Sequence, residues 1–293
     1  MDDPAGLSLI RHPSSLNNNA PAWCGLPAGF LPSIIYNLSM IRGVLLDLSG
    51  VLYVGDKPLP GAREAIQRLG EAGLPVRYIT NTTRKTAAVI LRQLAGMQFH
   101  IHPDELFTAP VAAKDYLKRN QLVPYLLIHP GLEPEFPEYT NRTDINAVLV
   151  GDAGDGFTYD KMNTAFRHIR EGAAFLALGM NRYFREGDQF SLDVGPFVHA
   201  LEFATGQKAT VIGKPAAEFY MSAVTAMHCN PEEVVMVGDD VEADVIGAVH
   251  AGLRGILVRT GKYQQGDENK TGNDAICTDD ISAAVDYILG ETA

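Results

Sequence analysis

From residue 41 onward, short continuous apolar runs alternate with segments whose apolar residues recur every three or four positions. Strands buried on both faces read as unbroken apolar runs, whereas the helices that cover them carry a single apolar stripe. On that basis 44–46 is a buried strand ending at Asp47. Residues 62–73 form an amphipathic helix with Ala65, Ile66, Leu69 and Ala72 on one face and Gly73 as its stop. Residues 76–80 are a second strand with a polar tip at 80–83, and 85–94 are the next helix. Further along, strands at 234–237 and 255–259 are interleaved with helices near 218–228, 245–251 and 281–289. This alternation predicts an α/β fold with a Rossmann-like, doubly wound parallel sheet.

A second block interrupts the series. Residues 121–206 contain apolar runs at 125–128, 147–150 and 175–178, with helical stretches near 159–169 and 196–205. A strand-like stretch at 210–213 then leads to Lys214. The expected organisation is a core from 41–120 and 207–293, with 121–206 as an inserted α/β domain. Residues 1–39 differ in kind: Pro4, Pro13, Pro21, Pro27 and Pro32 break them, and no period of 2 or 3.6 persists. They read as a disordered or loosely attached leader.

Composition narrows the function classes. The chain has 293 residues, 46% of them hydrophobic, enough for a large buried core. A net charge of −11 argues against broad contact with nucleic acid or an anionic membrane. It does not oppose a small anionic substrate, because a bound cation can reverse the field inside one pocket. No apolar run approaches the ~20 residues of a membrane span. Cys24, Cys229 and Cys277 lie far apart and without metal-like spacing, so reduced thiols in a cytoplasmic setting are expected, and zinc is not.

Open parallel sheets bind ligands at the carboxyl ends of their strands. Three strands here end in polar groups with chemical potential: Asp47, the Thr80-Asn81 tip and Asp239, while Lys214 follows a fourth. Singly, an Asp after a strand is as readily a helix cap, a Thr-Asn tip is ordinary turn chemistry, and a lysine is a solvated charge. Their order and their shared edge give the set its weight. A nicotinamide-dependent oxidoreductase is disfavoured, because the first strand ends at DLSG rather than in a G-x-G-x-x-G turn.

DLSGVLY (47–53), ITNTT (79–83), IGKP (212–215) and VGDDVEAD (237–244) resemble the four ordered motifs of the haloacid dehalogenase superfamily. The resemblance covers the chain from residue 41 onward, and the insertion is similar to that superfamily's larger α/β cap. Within the superfamily, PYLLIHPG (124–131), DAGDGFTYDKMN (152–163), RYFREG (182–187), LDVGPFVHALEFA (192–204) and VRTGKY (258–263) resemble the phospholysine phosphohistidine inorganic pyrophosphate phosphatase family.

The resemblance implies a Mg²⁺-dependent phosphatase working through an aspartyl-phosphate. A carboxylate can attack phosphorus and split one displacement into two, and phosphoryl transfer needs mainly positioning and charge neutralisation. Asp47 would be the nucleophile. Asp47, Asp239 and the Ser49 carbonyl would hold Mg²⁺, a hard cation suited to oxygen ligands. Thr80 and Asn81 would bind the phosphoryl oxygens, and Lys214 would pair with Asp47 and the phosphoryl group. Gly50 permits the tight turn that aims its amide at the same anion. Asp240 either contacts the metal's outer sphere or caps the next helix, and Asp244 is expected to contact an outer-sphere water or Lys214. The implied partner is a small phosphorylated substrate or phosphoamino acid. A homodimer is also among the expected assemblies, since such caps often carry a dimer interface in the family.

Ser49 departs from the superfamily pattern, in which an Asp two residues after the nucleophile acts as general acid and base. A serine hydroxyl cannot take over that role, which is typically worth about 10²–10⁴-fold. Substrates whose leaving group departs easily should suffer least, and pyrophosphate and P–N phosphoramidates fit. The alternatives are a phosphatase of small-metabolite monoesters and a weakly active module that binds phospho-ligands. In the insertion, Asp193 is the expected contact for a cationic leaving group or else the cap of a helix starting near Pro196, and Arg182 and Tyr183 could line the same cleft.

Overall fold

The computed structural model describes residues 41–186, 189–272 and 274–290. The expected leader lies outside them. In chain order the first elements are β1 (Gly43–Asp47), β2 (Tyr53–Val54), β3 (Lys57–Pro58), α1 (Ala62–Glu71), β4 (Val76–Thr80), α2 (Ala87–Gly96), β5 (Leu106–Thr108) and α3 (Ala109–Arg119). Next come β6 (Pro124–Leu127), β7 (Ala147–Val150), α4 (Tyr159–Arg170), β8 (Ala174–Ala177), β9 (Tyr183–Glu186), β10 (Gln189–Leu192) and α5 (Gly195–Thr205). The series ends with β11 (Thr210–Val211), α6 (Ala217–Ala226), β12 (Val234–Gly238), α7 (Gly247–His250), β13 (Arg254–Val258), β14 (Ala275–Thr278) and α8 (Ile281–Leu289).

Six parallel strands form the main sheet in the order β14-β13-β12-β1-β4-β5. The chain winds both ways from β1, as the alternating pattern predicts. One face is covered by α1 and α8 and buries Val44, Leu46, Leu69 and Val285; the other is covered by α6 and α7 and buries Leu45, Ile79, Tyr220 and Met236. Every residue of β1 and β12 is buried, which explains why both read as unbroken apolar runs. The register sets Asp47 beside Ile79 and Leu46 beside Val237, so the tips of β1, β4 and β12 end at one edge.

A smaller parallel sheet, β11-β8-β7-β6, has α4 and α5 on one face and α3 on the other. Its extent differs from the expected insertion at both ends. Ala109, Ala113 and Leu117 of α3 pack with Leu149, Leu176 and Leu178, although α3 precedes residue 121. At the far end, Thr210 and Val211 pair with Leu176 and Ala177 of β8 and only then does the chain return to the main sheet. The cause is physical: both faces of a parallel sheet need cover, and α3 supplies the second face. The antiparallel hairpin β9-β10 follows β8. Among the described residues no helix is long and apolar enough to cross a membrane.

Candidate active site

The predicted residues converge at the carboxyl edge of the main sheet. Asp47, Thr80, Lys214, Asp239 and Asp244 are all buried there. The Lys214 ammonium lies 2.5 Å from Asp47 Oδ1 and 2.6 Å from Asp244 Oδ1. Burial disfavours its charge, but Asp244 and Asp47 outweigh that cost and hold the lysine above its ordinary pKa. The carboxylates of Asp47, Asp239 and Asp244 each place one oxygen within 4.8 Å of the others. Burial first, then the charges of Asp47 and Asp244, push the Asp239 carboxyl well above its usual range. Burial likewise lifts Asp244 to about 6 despite the lysine.

Hydrogen bonding separates the roles of these acids. Both Asp244 oxygens are committed, one to Lys214 and the other to the Asp240 amide at 3.1 Å. Asp239 accepts from the Lys262 amide at 2.7 Å through Oδ2. Among the described residues, one oxygen of Asp47 and one of Asp239 are left with no protein donor. A buried acidic cluster with spare oxygens fits a hard divalent cation. Two glycines make the cluster this tight: a Cβ on Gly50 or Gly261 would overlap Asp239 Oδ2, and both residues have positive φ, 88° and 58°.

The sequence model of the family described as haloacid dehalogenase-like hydrolase matches residues 44–140, and one described as HAD-hydrolase-like matches 211–284. The chain is 43% identical over 250 residues to haloacid dehalogenase-like hydrolase domain-containing protein 2 of Bos taurus, covering 85% of this chain and 96% of that one. It belongs to the haloacid dehalogenase-like hydrolase family. A second relative is the phospholysine phosphohistidine inorganic pyrophosphate phosphatase of Homo sapiens, 41% identical over 259 residues, covering 86% of this chain and 96% of that one. Among solved structures, the 4-nitrophenylphosphatase of Thermotoga maritima superposes with a TM-score of 0.77 at 25% identity, covering 85% of this chain and 98% of that one.

In this hydrolase the polar tip after β4 does more than face the cavity. The Asn81 amide donates to the Lys214 carbonyl and to Asn181 Oδ1, and accepts from the Lys214 amide. Its expected hydrogen-bonding capacity toward phosphoryl oxygens is thus spent on the protein. Thr80 Oγ1 donates to Thr82 Oγ1 and accepts from the Thr82 amide. Asp240 caps the helical turn that follows: its Oδ1 accepts from the amides of Glu242 and Ala243. Its Oδ2 takes Lys262 and Asn181, both at 3.2 Å. Of the two readings open for Asp240, the geometry supports the cap. Ser49 is exposed and lines the same cavity of about 240 Å³ as Asp47 and Lys214.

Further residues complete the walls. Arg84 Nε donates to Asp152 at 2.5 Å, and its guanidinium lies 4.6 Å from the Phe184 ring centre. Thr83 Oγ1 accepts from the Asp152 amide, fastening the β4 tip to the loop after β7. Asn181 comes from the loop after β8 and Lys262 from the loop after β13. The carboxyl-end rule, applied to the smaller sheet as well, would have pointed to Asp152 and Asn181. Asp193 lines the cavity, and α5 has no side-chain cap; among the described residues the aspartate accepts only from the adjacent Val194 amide, at 2.7 Å. Arg182 and Tyr183 line a neighbouring cavity of about 150 Å³, shared with Lys214 and Lys262.

Proposed function

We propose that this hydrolase is a Mg²⁺-dependent phosphatase whose nucleophile is Asp47, acting through an aspartyl-phosphate on pyrophosphate or P–N phosphoramidates. The observation that carries the reading is the buried Lys214 ammonium held between Asp47 and Asp244, with Asp239 in the same cluster. One oxygen of Asp47 is neutralised by the lysine while the other is uncommitted toward the cavity, the arrangement a carboxylate needs to approach a phosphorus dianion.

Asp47 and Asp239, with the Ser49 carbonyl, would hold the cation, and Asp244 would orient the lysine. When bound, Mg²⁺ supplies charge neutralisation for the phosphoryl oxygens. The Asp47 carboxylate attacks phosphorus; Lys214 offsets charge on the oxygens; the tip residues fix the lysine. Water then hydrolyses the acyl-phosphate and frees Asp47. The smaller sheet and the β9-β10 hairpin act as a cap, tied to the core through Arg84–Asp152 and Asn81–Asn181.

Substrate choice follows from Ser49. With no carboxyl two residues beyond the nucleophile, leaving groups that need no proton from that position are favoured. Phosphate release should be measured with and without Mg²⁺ for wild type and Asp47→Asn, across pyrophosphate, phospholysine, phosphohistidine and common phosphoesters. Full activity in Asp47→Asn removes that residue as nucleophile, and a panel led by ordinary monoesters overturns the substrate reading.

A further inference from the structure

The position two beyond Asp47 is an exposed serine, which cannot protonate a leaving group. The cavity walls hold several carboxyls, and most are tied. Asp47 and Asp244 share Lys214, Asp152 takes Arg84, and Asp240 takes Lys262. Asp239 belongs to the cation cluster and is bonded by the Lys262 amide. Asp193 remains. Among the described residues it makes no ion pair, and its one hydrogen bond comes from the Val194 amide.

We propose that Asp193, from the loop between β10 and α5, is the general acid of this reaction, delivering from the smaller sheet the proton that position 49 cannot supply. The inference rests on the phosphatase reading given above. Its placement is built in: the Asp193 amide donates to the Arg182 carbonyl, and the Gly195 amide to the Asn181 carbonyl. A Cβ on Gly195 would lie 2.6 Å from the carbonyl oxygens of Met180 and Asn181, so only glycine lets the two loops close so tightly beside the site.

The groups facing Asp193 are Lys262 from the loop after β13, Arg84 from the loop after β4 and Asp152 from the loop after β7. Burial is the largest influence and raises the carboxyl to about 6; the Val194 amide and Lys262 pull it down, Asp152 pushes it up and Arg84 pulls it down. A carboxyl so placed keeps its proton to higher pH than an exposed one does, which suits an acid working near neutrality.

The steps balance. As Asp47 Oδ bonds to phosphorus, the bond from phosphorus to the bridging oxygen or nitrogen breaks, and that atom takes the Asp193 proton. The leaving group departs protonated, as phosphate from pyrophosphate, as an amine from a phosphoramidate or as an alcohol from an alkyl phosphate, and Asp193 becomes a carboxylate. In the second step water adds to phosphorus, Asp193 takes back one proton from that water, the Asp47–phosphorus linkage breaks, and inorganic phosphate is released.

The test compares an alkyl phosphate, whose alkoxide needs a proton, with 4-nitrophenyl phosphate, whose phenolate does not. Asp193→Asn should lose about 10²–10⁴-fold in kcat/KM on the alkyl phosphate and far less on the nitrophenyl ester. The ratio of wild type to variant on the alkyl phosphate should fall as pH rises through the Asp193 titration; taking the ratio removes the substrate's own ionisation. Ser49→Asp in the Asp193→Asn background should restore part of the alkyl phosphate activity. Equal losses on both substrates, a pH-independent ratio, or no rescue overturns the role of Asp193 while wild-type turnover and its loss in Asp47→Asn leave the phosphatase reading standing. If Asp193→Asn fails to fold, wild-type kcat/KM for the alkyl and nitrophenyl phosphates decides. Parallel pH profiles for the two substrates overturn the proposal.

Discussion

Asn81 grips the main chain of Lys214 on both sides: its Oδ1 accepts from the lysine amide and its Nδ2 donates to the lysine carbonyl, each at 2.8 Å. The third bond of the same amide, to Asn181 at 2.9 Å, reaches the smaller sheet. One side chain therefore joins the tip of β4, the lysine of the charge cluster and the second layer. Removing it leaves two backbone groups of Lys214 without these partners, which costs about 1–3 kcal/mol per buried group. It also frees the lysine on which the proposed reaction depends, and small misplacements at a reacting centre cost on the order of 10–100-fold. Asn81→Ala should lower kcat by that order while KM changes little. Phosphate-release kinetics beside a thermal melt check this; a variant with lower Tm but unchanged kcat would show that Asn81 serves stability alone.

The cluster of Asp47, Asp239 and Asp244 makes a separate prediction about stability. Asp239 is buried beside two other carboxylates, with only a backbone donor of its own. A cation bound there stabilises the folded chain by mass action, about 2.7 kcal/mol at a hundredfold excess over Kd, equivalent to about 5–10 °C for a chain of this size. Mg²⁺ should raise Tm by that amount and chelation should reverse it. Asp239→Asn should abolish the shift, and without cation it should melt no lower than wild type, because a buried carboxylate has been neutralised. A shift that survives in Asp239→Asn would place the cation elsewhere.

How far the sequence foretells this site depends on where each residue sits. Asp47 and Asp239 are conspicuous because each ends an apolar run, and the register of β1 against β4 and β12 turns that linear pattern into proximity. Asn181 and Lys262 carry no such mark, whereas Asp152 follows an apolar run of the smaller sheet. All three lie in loops, and their partners Asn81, Asp240 and Arg84 are 100, 22 and 68 residues away; the packing of the two sheets closes the first and last separations, and the pairing of β12 with β13 closes the second. Periodicity predicts a regular helix from residue 245, yet the chain first makes a π-helical turn at Val241–Ile246. That turn carries Asp244 inward to Lys214, and a Cβ on Gly238 would overlap the Asp244 side chain. The strand at 210–211 pairs with the smaller sheet because β8 offers an open edge, which periodicity along the chain cannot reveal.

Glycine placement gives a sharper test of that packing. Gly261 has φ 58°, and a Cβ there would run into Asp239; Gly73 has φ 71°, and a Cβ there would meet nothing within 4 Å. Alanine at either site incurs the left-handed backbone penalty of roughly 1–2 kcal/mol. Only at Gly261 does it also push on a cluster carboxylate. Gly73→Ala should therefore lose stability and keep its activity, while Gly261→Ala should lose the Mg²⁺-induced rise in Tm together with phosphate release. Equal behaviour in the two variants would mean that Asp239 tolerates displacement and that the cluster is not tightly set.

Asp193 links stability to pH. Burial lifts its carboxyl from the ordinary 3.8 to about 6, so the folded chain holds this proton more tightly than the unfolded chain does. The stability that this group contributes is present at low pH and is lost as pH rises through that window. Asp193→Asn cannot titrate, and it keeps an oxygen to accept from the Val194 amide at 2.7 Å. Relative to wild type, the variant should melt higher at about pH 7.5 than its relative Tm at about pH 4.5 would indicate. Melting curves for the two proteins at the two pH values decide the matter: a Tm difference that does not change with pH means that Asp193 is already ionised in both and contributes no such cost.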